Sequence, residues 1–510
     1  MAQRSGAVVI PAPSMGWNTK DPISQMDPLY AVEMENFFPD NGTVTLRKGT
    51  QYHVSACGTV YGMGTYTRST GTNYLLSAEV YINKIIKIYN SSTGSAPAVD
   101  ITGAATWTAG SGPMQTVNFR DKIFLKDASA TGDVYWWQGA GNITAAAFTG
   151  PGGDDKDLMC PFAYKGRLYF AQFTAPVLWY AGFNSITGAL ASFDLSSILT
   201  LGGRIVYVGS ITSNSSDIQE AMLLISDKGE VLVYQGNNPG DVTWSIIGHY
   251  YIPLPCSIKS FFKWGQDVLV ITNQGLVSIS QVMSQGVRGQ YEFISDKIQS
   301  AFISAVAGQY ITPTYGYSSF TFINGVIYPK GNMLICNVGE GLTSTTQFVM
   351  NLVTGAWCKF TGMIAFEWIV FNDSLYYGSD QVVMLADTGY TDRSEDTSGT
   401  AKAKTIKLRH AFNYLGNNIA NKQFTMAIPT IYQSEGLSLT LDCDVDYTDV
   451  TATSTETDTT DTAYKLYQPR MGLINQVNGS AVSIRIDGTC TTKRISLQAT
   501  KVFWNEGNTD

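Results

Sequence analysis

The sequence predicts an all-β protein, a β-propeller of about seven blades followed by a C-terminal β-sandwich or platform module. Three observations predict it. First, 49 glycines and 12% aromatic residues accompany a charged fraction of only 15%, against about 25% in ordinary soluble domains. Glycine supplies the positive φ of tight turns, and aromatic side chains suit pleated, half-buried surfaces. Second, apolar strands separated by turns containing Gly or Asn recur at roughly 50 residues, within the range of a four-stranded blade. Third, beyond Gly399 the strands lengthen and alternate apolar with polar residues, as sheets with one wet face do.

Residues 1–50 read as an N-terminal arm. Pro11, Pro13, Pro22, Pro28 and Pro39 exclude a long helix or a central strand. Asp27 as cap and Pro28 at the first helical position predict a short helix reaching Asn36. Asp40-Asn41-Gly42 reads as a turn into a strand from Thr43 to Leu46. That strand needs a sheet to join, and it is the candidate for closing the propeller ring.

Residues 51–396 carry the repeat. The clearest hairpin runs from Asp267 to Ile279, and similar units are Ala221 to Tyr234, Val370 to Tyr377 with Gln381 to Ala386, and Arg167 to Ala171 with Val177 to Tyr180. Less regular copies begin near Tyr61, Val117 and Phe320. Inner strands such as Val268 to Ile271 are apolar on both faces, so each sheet needs a neighbour on each side, which radial stacking supplies. Two successive sandwiches are the alternative. Asp392 to Gly399 reads as a polar linker, and residues 397–510 as the C-terminal module, with strands Thr405 to Tyr414, Phe424 to Tyr432, Leu437 to Tyr447, Ala481 to Ile486 and Lys493 to Val502. The acidic, Thr-rich stretch from Thr448 to Thr462 reads as an exposed loop.

Composition narrows function. A formal net charge of -8 opposes tight wrapping of nucleic acid, which draws affinity from Lys and Arg. His53, His249 and His410 lie too far apart in sequence to suggest a histidine metal site, and His249 reads as structural. Seven cysteines without C-x-x-C spacing read as reduced, mostly buried thiols of a chain made in a cytoplasm. No apolar run approaches the roughly 18 residues of a membrane helix, and no secretion signal is recognisable.

The chemistry-bearing patterns are few. Asp442, Asp444 and Asp446 alternate on one strand and would face one way, as clustered oxygens at a hard-cation site do; without a glycine turn or a bidentate glutamate, a solvated strand face is the better reading. Asp154-Asp155 belongs to a turn. Gly240 to Trp244 matches only the last letters of a sialidase aspartate box. With no G-x-S-x-G elbow, phosphate loop or G-x-G-x-x-G after a strand, no catalytic, cofactor or metal residues are assigned, and the protein reads as a non-enzyme. Lys402, Lys404, Lys407 and Arg409 form the one basic stretch, either an electrostatic contact for an acidic partner or passing DNA, or lysines guarding a strand edge. Trp136-Trp137 and Phe261-Phe262 read as blade core or subunit contact rather than sugar platforms.

Met15-Gly-Trp-Asn-Thr-Lys-Asp-Pro22, Ala31 to Asn36, Phe37-Phe-Pro39 and Leu46-Arg-Lys-Gly49 together resemble the opening of virion proteins of short-tailed bacteriophages (podoviruses). Pro161 to Phe170 and Ile258 to Val270 look like blade segments of their tail hub or nozzle proteins, also called packaged-DNA stabilisation proteins. The resemblance implies a structural homohexamer in the virion tail, assembled from chains made in the host cytoplasm. It would dock below the portal-adaptor ring, carry tail fibres or tailspikes and a tail needle, and retain and then pass the genome without binding it specifically. An acidic lumen would repel phosphates so that DNA slides. The alternative, from a different class, is a propeller-based carbohydrate-binding or depolymerising receptor protein at the tail tip.

Overall fold

The computed structural model describes residues 5–80, 85–94, 98–105, 107–108, 113–212, 220–285, 292–308, 322–339, 343–395, 399–433, 438–457, 464–473, 478–491 and 494–506. Strands dominate it, with two short α-helices, Ile279–Gln285 and Gln299–Val306. The all-β expectation is met. Phe320, near which one repeat copy was expected to begin, lies outside the described residues, and the hairpin Asn324–Tyr328 with Met333–Gly339 follows it.

The region expected as propeller is propeller-like, with four self-contained antiparallel sheets as blades. Three have four strands, beginning at Met114–Phe119, Leu158–Tyr164 and Ile205–Thr212, and one has three, Phe261–Trp264, Asp267–Thr272 and Gly275–Ser278. The first strands pack against one another in succession, and the order returns through Asn324–Tyr328 and Glu367–Phe371 to Thr50–Thr67. Several hairpins turn on two residues with positive φ: Arg120 and Asp121 (51° and 55°), Lys165 and Gly166 (43° and 75°), Asn372 and Asp373 (46° and 54°). Positive φ at both central positions gives the turn a twist that matches the right-handed twist of its strands. Between them run continuous apolar strands such as Ala221 to Ile225, buried on both faces, which is what stacking between two neighbouring sheets requires.

The closing strand differs from expectation. Thr43–Leu46 pairs with Phe37–Asp40 and with the C-terminal strand Ile495–Glu506, because Val44 and Leu46 bury in the same cluster as Phe37 and Leu497. Closure is made instead by the 18-residue strand Thr50–Thr67. Its first half pairs with Asp380–Ala386 and its second half with Asn73–Val80, so one long strand joins the first and last strands of the ring in a single eight-stranded sheet.

The arm is also not helical where a helix was expected. Tyr30–Glu35 is a strand between Trp357–Phe360 and Lys404–His410. Asp27 accepts a hydrogen bond from the Leu29 N–H at 2.8 Å, a turn rather than a helix cap. Ala31 and Met34 bury in the core, and that burial outweighs the local capping signal. Gly16–Trp17 adds beside it in parallel, so a ten-stranded sheet runs without interruption from Asn324–Tyr328 into the C-terminal strands Lys404–His410, Val482–Cys490, Ser438–Val445 and Thr448–Thr457. A second, eight-stranded sheet gathers Ser5–Pro11, Phe37–Asp40, Thr43–Leu46, Lys422–Gln433 and Ile495–Glu506. One apolar cluster holds Ile406, Leu408, Leu441 and Ile484 of the first together with Phe424, Ala427, Leu497 and Val502 of the second.

Two polar segments are more ordered than expected. Thr448–Thr457 is a strand paired with Ser438–Val445, since alternating threonines suit a pleated edge; residues 458–462 of the expected loop lie outside the described residues. Asp392, at the head of the expected linker, is buried and pairs with Lys402 in a short ladder.

Candidate functional site

The basic stretch does not form a patch. Successive residues of the strand Lys404–His410 point to opposite faces of the ten-stranded sheet. Lys404 points into the core with no side-chain exposure, donating to the Tyr390 carbonyl 4.0 Å from Asp392 at the ion-pair limit; burial lowers its pKa to about 8. Lys407 and Arg409 lie on the other face. Arg409 pairs with Asp444, and Lys407 sits in register between Glu35 and Asp487. Lys402 donates to the Gly362 carbonyl at 2.7 Å and to Glu395 at 3.1 Å. The strand guards no edge either, because Tyr30–Glu35 and Val482–Cys490 flank it.

The aspartate triplet is corrected in the same way. Asp442 and Asp444 share the outer face but are buried, the first bound to Arg485 at 2.7 Å and the second between Arg409 and Arg485. Burial raises the pKa of Asp444 against the pull of both guanidinium groups. Asp446 lies past the strand end at φ 47° and accepts hydrogen bonds from the Ser480 and Ala481 N–H groups. Arginines thus occupy the role a cation would have, and no metal-binding group of three acidic, His or Cys residues occurs among the described residues. Asp155 is likewise no loose turn residue. It is buried under the Val134 and Phe148 N–H groups, and burial lifts its pKa to about 6. His249 lies 3.1 Å from the buried Glu230, which the Thr200 and Leu201 N–H groups also hold. Trp137 and Phe262 are core, whereas Trp136 lies under the Lys122 ammonium at 3.9 Å.

The structure instead brings together residues that the sequence scatters. A cavity of about 340 Å³ opens where the first strands of successive sheets converge. Met63, Gln115, Phe162 and Tyr207 enter it from Thr50–Thr67, Met114–Phe119, Leu158–Tyr164 and Ile205–Thr212; Lys263, Asn324 and Trp368 enter from Phe261–Trp264, Asn324–Tyr328 and Glu367–Phe371. The volume falls at the low end of the roughly 300–1,000 Å³ of small-molecule sites.

Its electrostatics centre on one part-buried ion pair. Lys259 Nζ reaches Glu367 Oε1 at 2.7 Å, and the Met63 N–H donates to Glu367 Oε2 at 3.2 Å. Burial raises the carboxyl pKa of Glu367, opposed by Lys259, while burial lowers that of Lys263, which donates to the Ser210 carbonyl. Cys160 sits at a β-bulge with φ 53°, its N–H held by Gln115 Oε1 at 2.8 Å and its thiol donating to the Val206 carbonyl at 3.0 Å. Burial pushes that thiol up to about 12, so it stays protonated and unreactive at neutral pH. Among the described residues of the lining Glu367 is the single carboxylate. Phe162, Lys259 and Lys263 fall in the segments Pro161 to Phe170 and Ile258 to Val270 that resemble tail-hub blades, but no catalytic or ligand-binding pattern marks the lining residues in the sequence.

No family model matches the chain, and no curated protein matches it. Solved structures similar to it include Raptor of Chaetomium thermophilum, at 9% identity and TM-score 0.38 over 66% of this chain and 29% of that one. An exo-β-1,3-galactanase of Phanerochaete chrysosporium with galactose matches at 11% identity and TM-score 0.28, over 79% and 99%. BBS1N in complex with ARL6DN matches at 14% identity and TM-score 0.28, over 43% of this chain and 60% of that one. Similarity at this level carries no argument about activity.

Proposed function

We propose that the chain is a structural protein of a bacteriophage virion, the subunit of a homohexameric tail hub or nozzle of a short-tailed phage, with no catalytic role. In this reading the body is a seven-bladed propeller, and residues 397–510 with the arm form a sandwich-like platform. The succession of first strands around the central cavity and the apolar cluster shared by the two C-terminal sheets support that division.

The observation that carries the functional reading is the position of the resembling residues. Trp17 stacks on Phe348 at 6.1 Å, Asn36 and Arg47 hold each other at 2.7 Å, and Gly16–Trp17 and Tyr30–Glu35 splice the propeller side of the ten-stranded sheet to its C-terminal side. The motifs therefore sit where the two parts are welded together, which is where a shared architecture constrains sequence. The central cavity is far too small for duplex DNA, so a conduit in this reading runs between copies, its wall drawing on the net charge of -8 that each contributes. Portal-adaptor and fibres or spikes would bind at the two ends of the ring.

Native mass spectrometry and electron microscopy of the purified protein test the proposal. The expected result is a six-fold ring whose bore is net acidic; a monomer at micromolar concentration, or a bore lined by Lys and Arg, overturns it.

A further inference from the structure

The central cavity contains an acceptor that the protein does not use. Asn324 is 6% exposed and donates from Nδ2 to the Phe366 carbonyl at 2.7 Å, yet its buried Oδ1 has no hydrogen-bond partner among the described residues. A buried carbonyl left unpaired costs about 1–3 kcal/mol, so the site is incomplete without a donor. The neighbouring strand carries Lys263. Lys259 is neutralised by Glu367 at 2.7 Å, whereas Lys263 is exposed, has no ion-pair partner among the described residues, and donates to the Ser210 carbonyl, leaving two further N–H groups. An ammonium has three donors. Trp368 spends its indole N–H on Asn337 at 3.1 Å, so it offers the cavity ring carbon, as Phe162 does.

We propose that the central cavity binds a small polyhydroxylated carboxylate, a sugar acid, with a ligand O–H donating to Asn324 Oδ1, the carboxylate meeting Lys263 and C–H groups packed on the aromatic wall. Each element is matched once. The orphan acceptor needs a hydroxyl donor, the surplus cation needs an anion, and the aromatic lining suits the apolar face of a sugar ring. The inference is independent of the hexamer proposal, because the cavity lies within one chain.

Isothermal titration calorimetry of the full-length protein with sodium D-glucuronate, D-glucose and sodium acetate tests it. Glucuronate should bind saturably, and glucose and acetate about tenfold or more weaker. Lys263→Gln, which removes the charge but keeps a side-chain N–H donor, should bring glucuronate down to the affinity of glucose and leave glucose unaltered, while Asn324→Ala should weaken both sugars. Should Asn324→Ala fail to fold, Lys263→Gln alone decides. No saturable heat with glucuronate, acetate binding as tightly as glucuronate, or a Lys263→Gln protein indistinguishable from the parent overturns the proposal.

Discussion

Arg47 and Asp392, 345 residues apart in sequence, form a two-pronged ion pair at 2.9 and 2.5 Å with side chains only 2% and 3% exposed. The remaining donors of the guanidinium reach Asn36 Oδ1 at 2.7 Å, the Lys48 carbonyl at 3.1 Å and the Thr361 carbonyl at 3.0 Å. Five N–H groups thus meet five acceptors. One side chain ties the arm, the segment after Trp357–Phe360 and the head of the segment that leads into the C-terminal module.

Arg47→Met should therefore cost far more than an ordinary substitution. It leaves Asp392 buried with only Lys404 nearby at 4.0 Å, and removing one partner of a buried pair costs about 3–5 kcal/mol. Replacing both partners, Arg47→Met with Asp392→Leu, should cost less than Arg47→Met alone. Urea unfolding of the three proteins measures this, and a single-variant loss under about 1 kcal/mol would show that water reaches the pair.

Local signals read well where the structure is local. Asp267 to Ile279 folds as the hairpin its Asn273-Gln274-Gly275 turn announces, with strands Asp267–Thr272 and Gly275–Ser278, because a continuous apolar run and turn chemistry act within a dozen residues. The long C-terminal strands are likewise legible. Partnership across the chain was not. Lys407 and Arg409 look like a free basic stretch only because Glu35, Asp444 and Asp487, which face them, lie distant in sequence. Tyr30–Glu35 follows a helix cap signal but forms a strand because Trp357–Phe360 and Lys404–His410 present open edges on either side. The cavity was invisible for the same reason, since its lining takes one or two residues from each of many strands.

His410 should make the protein acid-sensitive. It lies in the core with no exposure, its Nε2 3.4 Å from Thr500 Oγ1 and its Nδ1 without a hydrogen-bond partner among the described residues. Burial lowers its pKa from 6.5 to about 4, so between these values the unfolded chain binds the extra proton. Stability contributed by the neutral ring is complete above about pH 6.5 and is lost progressively as pH falls towards 4, by about 3 kcal/mol for a shift of this size. A His410→Leu protein should lack that part of the slope. Parallel curves for the two proteins across pH 4 to 7 would show that His410 is not the titrating group.

The outer strand Ser245–Tyr251 is the place to test assembly. It is the terminal strand of its sheet, so one row of backbone N–H and C=O groups is unpaired among the described residues, and Ile246, Ile247 and Tyr251 are 43%, 46% and 39% exposed. Leu201 lies alongside, held by Glu230, and Thr200 bonds the Tyr251 hydroxyl at 2.9 Å. Monomers blunt such edges with lysine, proline or a bulge that turns the edge away; this strand carries a register shift at Ile247, opposite Val233 and Tyr234, but no Lys, Pro, Asp, Glu or Arg. Its apolar side chains on both faces therefore fit burial against another subunit of the proposed ring. Ile246→Lys with Ile247→Lys places charge on that edge while touching no core contact, so the unfolding free energy of the subunit should change by no more than ordinary surface changes produce, about 0.5 kcal/mol. Sedimentation velocity should then show the assembly shifted to smaller species. An unchanged sedimentation profile would place the subunit contacts elsewhere on the chain.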